Sequence, residues 1–324
     1  ADLIGDALHL VTPIPPVLSQ SIARHPTRWR PVLLRQLNRK GHASGPAAAR
    51  LLADYGTRED AERLAAYERR STPAVRKPQL SRSLVRRVSP TLRVHDLGRT
   101  TYEVSSVEVQ SSVARRKALS LVLYLVTRPN QTATREQIIE ELWPGQNPSS
   151  ATNSLHQTLH FVRRDIAPWS DDGVSAEYVP LDSELVYLDP DLVQVDSVAF
   201  MRQAKEALSS NDIVRWGPSI VRLYSGRFAP EFEYEDWAED WRTMLHAQFL
   251  LLSQVTATAL LRKHRSQQAI EMLSRAVEID GLAFELRATL IRSLARVGAT
   301  DAAADHYRQY SNLMERELEV RAPP

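Results

Sequence analysis

At Thr91 the hydrophobic pattern of the chain changes period, and the order of elements that follows leaves few possible folds. "TLRVHDLG" and "TTYEVSSVEVQ" show partial two-residue alternation and β-branched residues, the pattern of short half-buried strands. Three segments with helical spacing come next. The first, "ARRKALSLVLYLVTRP", is closed by Pro129. The second, "TREQIIEELWP", starts at Thr134 as N-cap, with Gln137 three residues on as its capping-box partner, and stops at Pro144. The third is "SSATNSLHQTLHFVRRDIAP". "EYVPLDSELVYLD" then offers two strand-like arms about a polar turn at 182–184. Strands, three helices and a hairpin predict a winged helix with an N-terminal sheet.

The flanks differ from this segment and from each other. Residues 1–75 read as helices, and "AAARLLADYGTREDAERLAAYERR" has the small-residue helix, glycine turn and second amphipathic helix of one HEAT-type hairpin. Residues 76–90 close "STPAVRKPQLSRSLVRRVSP", which holds Arg76, Lys77, Arg82, Arg86 and Arg87 and no acid; this predicts an extended basic linker, either a solvated tether or an arm for nucleic-acid phosphates. The winged helix spans 91–190. After Pro190 the chain reads as helical to the end, and "LLRKHRSQQAIEML" from Leu260 aligns with "LARVGATDAAADHY" from Leu294 at an offset of 34, the tetratricopeptide (TPR) period. In this alignment His264 stands opposite Gly298. The expected fold class is therefore mainly α: a helical N-terminal segment, a winged helix-turn-helix (α+β), and an all-α TPR-like domain over 191–324.

"NSLHQTLHFVRR", in the third helix of the winged segment, places His156 and His160 four residues apart. That is the spacing of a helical zinc pair, but Gln157 stands where a general-base glutamate would be, and no motif supplies a third ligand. With about 100° per residue, Gln157, His160 and Arg164 fall within roughly 40° of Asn153, His156 lies about 60° to one side, and Leu155, Leu159, Val162 and Ile166 gather opposite. One face packs; the other offers the side chains that hydrogen-bond base edges and phosphates. The pattern predicts a DNA-reading helix ahead of a solvated one, and a metal site last.

Cysteine is absent, which excludes disulfides, thiolate metal sites and a cysteine nucleophile. No consecutive apolar run approaches the roughly 18 residues of a membrane span, so no membrane partner is expected and a cytoplasmic protein is the default. The opening residues lack a signal peptide and an initiator methionine, so the chain is expected to be a fragment or a processed form. Neither a phosphate-binding glycine loop nor a serine nucleophile elbow is present, so the expectation is no enzyme and no cofactor. A net charge of only +2 leaves any nucleic-acid binding to local patches. "PEFEYEDWAEDW" gathers six acids around two tryptophans; it reads as a structured turn leading into a helix with an acidic first turn, with Trp216, Trp237 and Trp241 as core anchors.

The run from "RRKALSLVLYLVTRP" through "NSLHQTLHFVRRDI", followed by "VDSVAFMRQAKEAL", "LYSGRFAPEFEYEDWAEDWR" and the terminal repeat, resembles the Streptomyces antibiotic regulatory protein (SARP) family. That family joins an OmpR-type winged helix to a bacterial transcriptional activator domain, and the resemblance covers nearly three-quarters of the chain. It implies a transcription activator that binds direct-repeat promoter sites, often as a pair of protomers, and contacts RNA polymerase and its sigma factor. Carried over by position, the DNA-contacting residues are Asn153, His156, Gln157, His160, Arg163 and Arg164 on a recognition helix over 149–166; many members have arginine where His156 stands. Arg115, Arg116 and Lys117 match the basic start of the first helix, where phosphate contact and plain solvation both remain open. The turn at 143–149 corresponds to a polymerase-facing loop. The wing departs from the pattern, because Asp182 and Glu184 make its tip acidic. Two rival readings are a TPR/HEAT-type interaction scaffold or ligand-gated regulator without autonomous DNA binding, and a metal-dependent enzyme built on His156 and His160.

Overall fold

The computed structural model describes residues 8–10, 13–39, 43–71, 79–105, 107–109, 113–166, 177–210 and 212–319. They form two compact units: Ala1–Thr91 with Leu159–Pro180, and Leu92–Thr158 with Leu181–Pro324. The expected 91–190 segment is thus divided, with 159–180 belonging to the first unit.

In the first unit five helices follow one another: α1 (Pro16–Arg24), α2 (Pro26–Asn38), α3 (Gly45–Tyr55), α4 (Ala61–Ser71) and α5 (Gln79–Val88). The core takes Trp29, Leu33 and Leu37 from α2, Leu51 and Leu52 from α3, Leu64 from α4, and Leu84 and Val85 from α5. α3 and α4 form the expected hairpin. Its turn is held by the fully buried Asp60, whose carboxylate accepts from Thr57 N at 2.9 Å and from Arg30 Nε at 2.9 and 3.0 Å.

The extended linker expected over 76–90 is not what forms. Residues 79–88 are the helix α5, packed on α3 and α4; residues 76–78 lie outside the described residues. Ser81, Leu84 and Val85 are buried on one face, and Arg82, Arg86 and Arg87 are exposed. Two contacts with neighbouring elements stabilise it. Glu68 of α4 caps its start, accepting from Leu80 N at 2.7 Å and Ser81 Oγ at 2.6 Å, and Arg87 donates to Gly56 O at 2.5 Å. A carboxylate at a helix N-terminus satisfies free N–H groups and suits the dipole.

The second unit opens with β1 (Leu92–His95), β2 (Thr101–Val104) and β3 (Val107–Val109), then α6 (Val113–Thr127), β4 (Thr132–Thr134), α7 (Arg135–Leu142) and the first part of α8 (Pro148–Ile166), whose residues from Leu159 on are counted with the first unit. The short strands β5 (Leu181–Asp182), β6 (Leu185–Tyr187) and β7 (Val193–Val195) follow. α6 buries Leu121 through Val126 continuously and forms the core of this part. The capping box of α7 is present as expected: Thr134 Oγ1 accepts from Gln137 N at 3.2 Å, and Gln137 Oε1 from Thr134 N at 2.9 Å. β4, β6 and β5 make one antiparallel sheet that contains the wing hairpin. The other sheet runs β3-β2-β1-β7, with β7 parallel to β1. β7 corrects the expectation that the chain is helical from Pro190: "VQV" becomes a strand because β1 offers it a free edge.

The helical part comprises α9 (Asp196–Ser209), α10 (Ile213–Val221), α11 (Glu239–Arg262), α12 (Ser266–Ile279), α13 (Phe284–Arg296) and α14 (Thr300–Leu318), stacked in sequence as in TPR arrays. The repeat is visible in the backbone. His264 and Gly298 close equivalent turns in the left-handed region, at φ 58° and 84°, and Leu260/Leu294 and Ala269/Ala303 are buried pairs. With the turn before it, α11 is long and apolar enough to cross a membrane by length and composition. Here its Leu245, Phe249, Leu252 and Leu260 are buried within the helical stack.

The winged and helical parts are joined by a dense set of bonds. Ser197 N and Oγ donate to the buried Asp96 at 2.9 and 2.6 Å, Gly98 N to Arg227 O at 2.8 Å, and Ala229 N to Asp96 O at 2.8 Å. Thr100 donates to Glu231 through N at 3.1 Å and Oγ1 at 2.5 Å. The acidic-tryptophan stretch therefore belongs to the joint. Trp237 is buried as expected, and Trp241 donates to Ser197 Oγ at 3.2 Å. Trp216 is not a core anchor: it is 48% exposed, with the Arg215 guanidinium 4.5 Å from its ring centre. Its helix, α10, turns Gly217, Ile220 and Val221 inward and leaves position 216 outside.

Candidate nucleic-acid interface

α8 is preceded by Asn147, whose Oδ1 accepts from Ser149 N at 3.1 Å and Ser149 Oγ at 2.8 Å, an N-cap arrangement. Ala151, Leu155, Thr158, Leu159 and Val162 are buried, a stripe at helical spacing. Asn153, His156, Gln157 and His160 are exposed on the other side. Among the described residues none of these four side chains forms a hydrogen bond or ion pair. Fixed backbone with unengaged donors and acceptors is what base-edge recognition needs.

The other sequence-predicted residues fall differently. Arg163 is half-buried, and its Nε is buried without a hydrogen-bond partner among the described residues, so it sits off the exposed stripe. Arg164 lies on α8 and Arg115 on α6, but both side chains are outside the described residues. Arg116 and Lys117 are each engaged within the chain. Arg116 donates to Glu231 O at 3.0 Å, with its guanidinium 4.6 Å from the Phe232 ring centre, and so serves the joint. Lys117 Nζ donates to Leu142 O at 2.8 Å, capping the last turn of α7 where the dipole favours a cation. Sequence spacing could not show either partner, since Glu231 and Leu142 are brought there by tertiary packing. Among the described residues no group of three histidine, cysteine or acidic side chains could hold a metal.

The 143–149 turn buries Trp143 and exposes Pro144 through Ser149. At the wing, Ser183 takes a left-handed φ of 55° between the exposed Asp182 and Glu184. Arg135, first residue of α7, donates its N–H to Glu184 O at 2.9 Å and holds its guanidinium 3.9 Å from the Glu184 carboxylate, which offsets part of the tip's negative charge.

Residues 110–177 match the family described as "Transcriptional regulatory protein, C terminal", and residues 195–324 match the "Bacterial transcriptional activator domain". No curated protein sequence matches. Among solved structures, the chain is similar in fold to Mycobacterium tuberculosis EmbR, determined in complex with a low affinity phosphopeptide. The identity is 17% and the TM-score 0.54, over 73% of this chain and 63% of that one, so the chain spans less than two-thirds of EmbR's length. The chain thus carries a transcriptional regulatory C-terminal domain followed by a bacterial transcriptional activator domain, the domain order of the Streptomyces antibiotic regulatory protein family that its sequence resembles.

Proposed function

We propose that this protein binds promoter DNA sequence-specifically by laying α8 in the major groove. The observation that carries this reading is the exposed stripe of Asn153, His156, Gln157 and His160, with no hydrogen bond or ion pair among the described residues, opposite the buried Ala151, Leu155, Leu159 and Val162. Asn and Gln pair bidentately with adenine, and Arg164, in the same helical register, pairs with guanine or a phosphate. Arg163 and Arg115 supply backbone contacts beside them; Arg116 and Lys117 contribute charge to that surface while keeping their internal bonds. Two protomers on direct-repeat half-sites, with the 143–149 turn towards RNA polymerase and its sigma factor, complete the activator, which acts in the cytoplasm where its DNA is.

The test is selection of bound sequences from a random DNA pool at two salt concentrations. Enriched repeats of one half-site, spaced about one helical turn apart, are expected, and Arg164→Ala should weaken operator binding by about 1–3 kcal/mol. A pool without enrichment at either salt would sink the reading. The engagement of Arg116 and Lys117 favours one alternative, an interaction scaffold without DNA affinity. That scaffold would lack the steep fall of log K with log salt that phosphate contacts impose.

A further inference from the structure

Between α10 and α12 lies a cleft of about 730 Å³, lined also by Lys263 and Arg265 of the turn between α11 and α12. The volume is in the range of small-molecule sites. Five cations line it: Arg215 and Arg222 from the α10 side, Lys263 and Arg265 from the turn, and Arg275 from α12. Only two carboxylates, Asp212 and Glu271, share the lining. In a chain with 39 acids and a net charge of +2, a local excess of three positive charges is a marked concentration.

Among the described residues none of the five cations has a carboxylate partner, and those that are held are held by neutral groups. Arg215 stacks on Trp216 at 4.5 Å, Arg222 Nε donates to Pro218 O at 3.2 Å, and Arg275 Nη2 donates to Arg222 O at 3.5 Å. These contacts restrain the guanidinium groups without neutralising them, which lowers the ordering cost of binding an anion. Arg265 is the N-cap residue of α12, whose first turn has no side-chain cap, so the positive end of that helix dipole adds to the field. Four of the five cations are arginines, whose planar forks match phosphate oxygens bidentately.

We infer that this cleft binds a small polyphosphorylated anion, a second ligand site that is separate from α8 and does not depend on the DNA reading. A compact group with two or more phosphates places enough negative charge within the cleft to meet all five cations, which a single carboxylate cannot do.

The experiment is isothermal titration calorimetry of the full chain with inorganic pyrophosphate, inorganic triphosphate and ATP, without divalent metal and at matched ionic strength. Saturable binding is expected, tightening from pyrophosphate to triphosphate. ATP binding more tightly than triphosphate would assign the site to a nucleotide; equal affinity would assign it to the phosphate chain alone. The R265A/R275A pair should lose at least about tenfold in affinity. The R215A/R222A pair, on the opposite wall, should do the same, which guards against a folding defect in the first. Circular dichroism should show both pairs folded. Absence of saturable binding by all three anions would overturn the inference, as would affinity unchanged in both variant pairs. Binding of an oligoglutamate peptide in place of the phosphates, or a sequence-independent loss of DNA affinity in the variants without phosphate binding, would also overturn it, by reassigning the cations to a peptide or to the DNA backbone.

Discussion

Replacing Gly98 by alanine tests the joint between the winged and helical parts at its tightest point. Gly98 has φ +76°, and a Cβ added there would lie 2.9 Å from Ser225 O, a backbone atom already fixed by the bonds around it. Two costs combine: a left-handed alanine costs about 1 kcal/mol, and forcing a methyl against fixed backbone costs about 1–3 kcal/mol. Gly98→Ala should therefore destabilise the protein by about 2–4 kcal/mol. Two companion variants separate the contributions. Gly298 has φ +84° and open space around its missing Cβ, so Gly298→Ala reports the conformational cost alone, about 1 kcal/mol. Gly226 carries no left-handed strain, but its Cβ would lie 2.7 Å from Gly98 Cα, so Gly226→Ala reports the steric cost, about 1–3 kcal/mol. Urea unfolding followed by tryptophan fluorescence gives the midpoints, and an unchanged m-value licenses the comparison. If Gly98→Ala costs no more than Gly298→Ala, the close approach of the two parts at this joint is refuted.

On α8, Gln157→Ala should leave stability within about 0.5 kcal/mol, because the side chain is exposed and unengaged, while lowering operator affinity by about 1–3 kcal/mol. Leu155→Ala, fully buried on the opposite face, should do the reverse and cost about 2–5 kcal/mol of stability; gel-shift and urea titrations separate the two. Burial pushes the Asp96 carboxyl up to about 7. The folded state then keeps a proton that the unfolded chain releases near pH 4, so stability should fall as pH rises from about 4 to 7, by up to about 1.4 kcal/mol per pH unit. Asp96→Asn should flatten that slope, and urea midpoints at pH 5 and 7 check it. Arg242 is buried and donates to Phe228 O at 3.3 Å, Phe232 O at 3.1 Å and Glu239 at 2.5 Å. Arg242→Met strands those carbonyls and should cost about 3–5 kcal/mol, readable as a lowered unfolding midpoint.

Much of the architecture was legible in residue order because the signals involved are local. The Thr134–Gln137 capping box, the polar turn of the wing, the apolar stripe of α8 and the 34-residue offset that pairs His264 with Gly298 all act within a few residues or repeat along the chain. A period of 3.6 or 2 needs no partner to be seen. The exposed face of α8 follows from the same period: once Leu155, Leu159 and Val162 pack, Asn153, Gln157 and His160 must face out.

What the residues could not show by themselves depended on partners distant in sequence. Residues 79–88 looked like part of a linker between prolines; Glu68 and the faces of α3 and α4 make them a helix. "VQV" became a strand because β1 had a free edge, and Trp216 stayed outside because of the way α10 packs. The basic start of α6 left phosphate contact and plain solvation both open, yet Arg116 is bound to Glu231, 115 residues on, and Lys117 to the end of α7. Sequence period determines which face of an element is apolar, since that depends only on neighbours along the chain. Which cations are already spent within the fold, and which five gather around one cleft with no carboxylate partner among the described residues, depends on three-dimensional distance, and only the tertiary structure decides it.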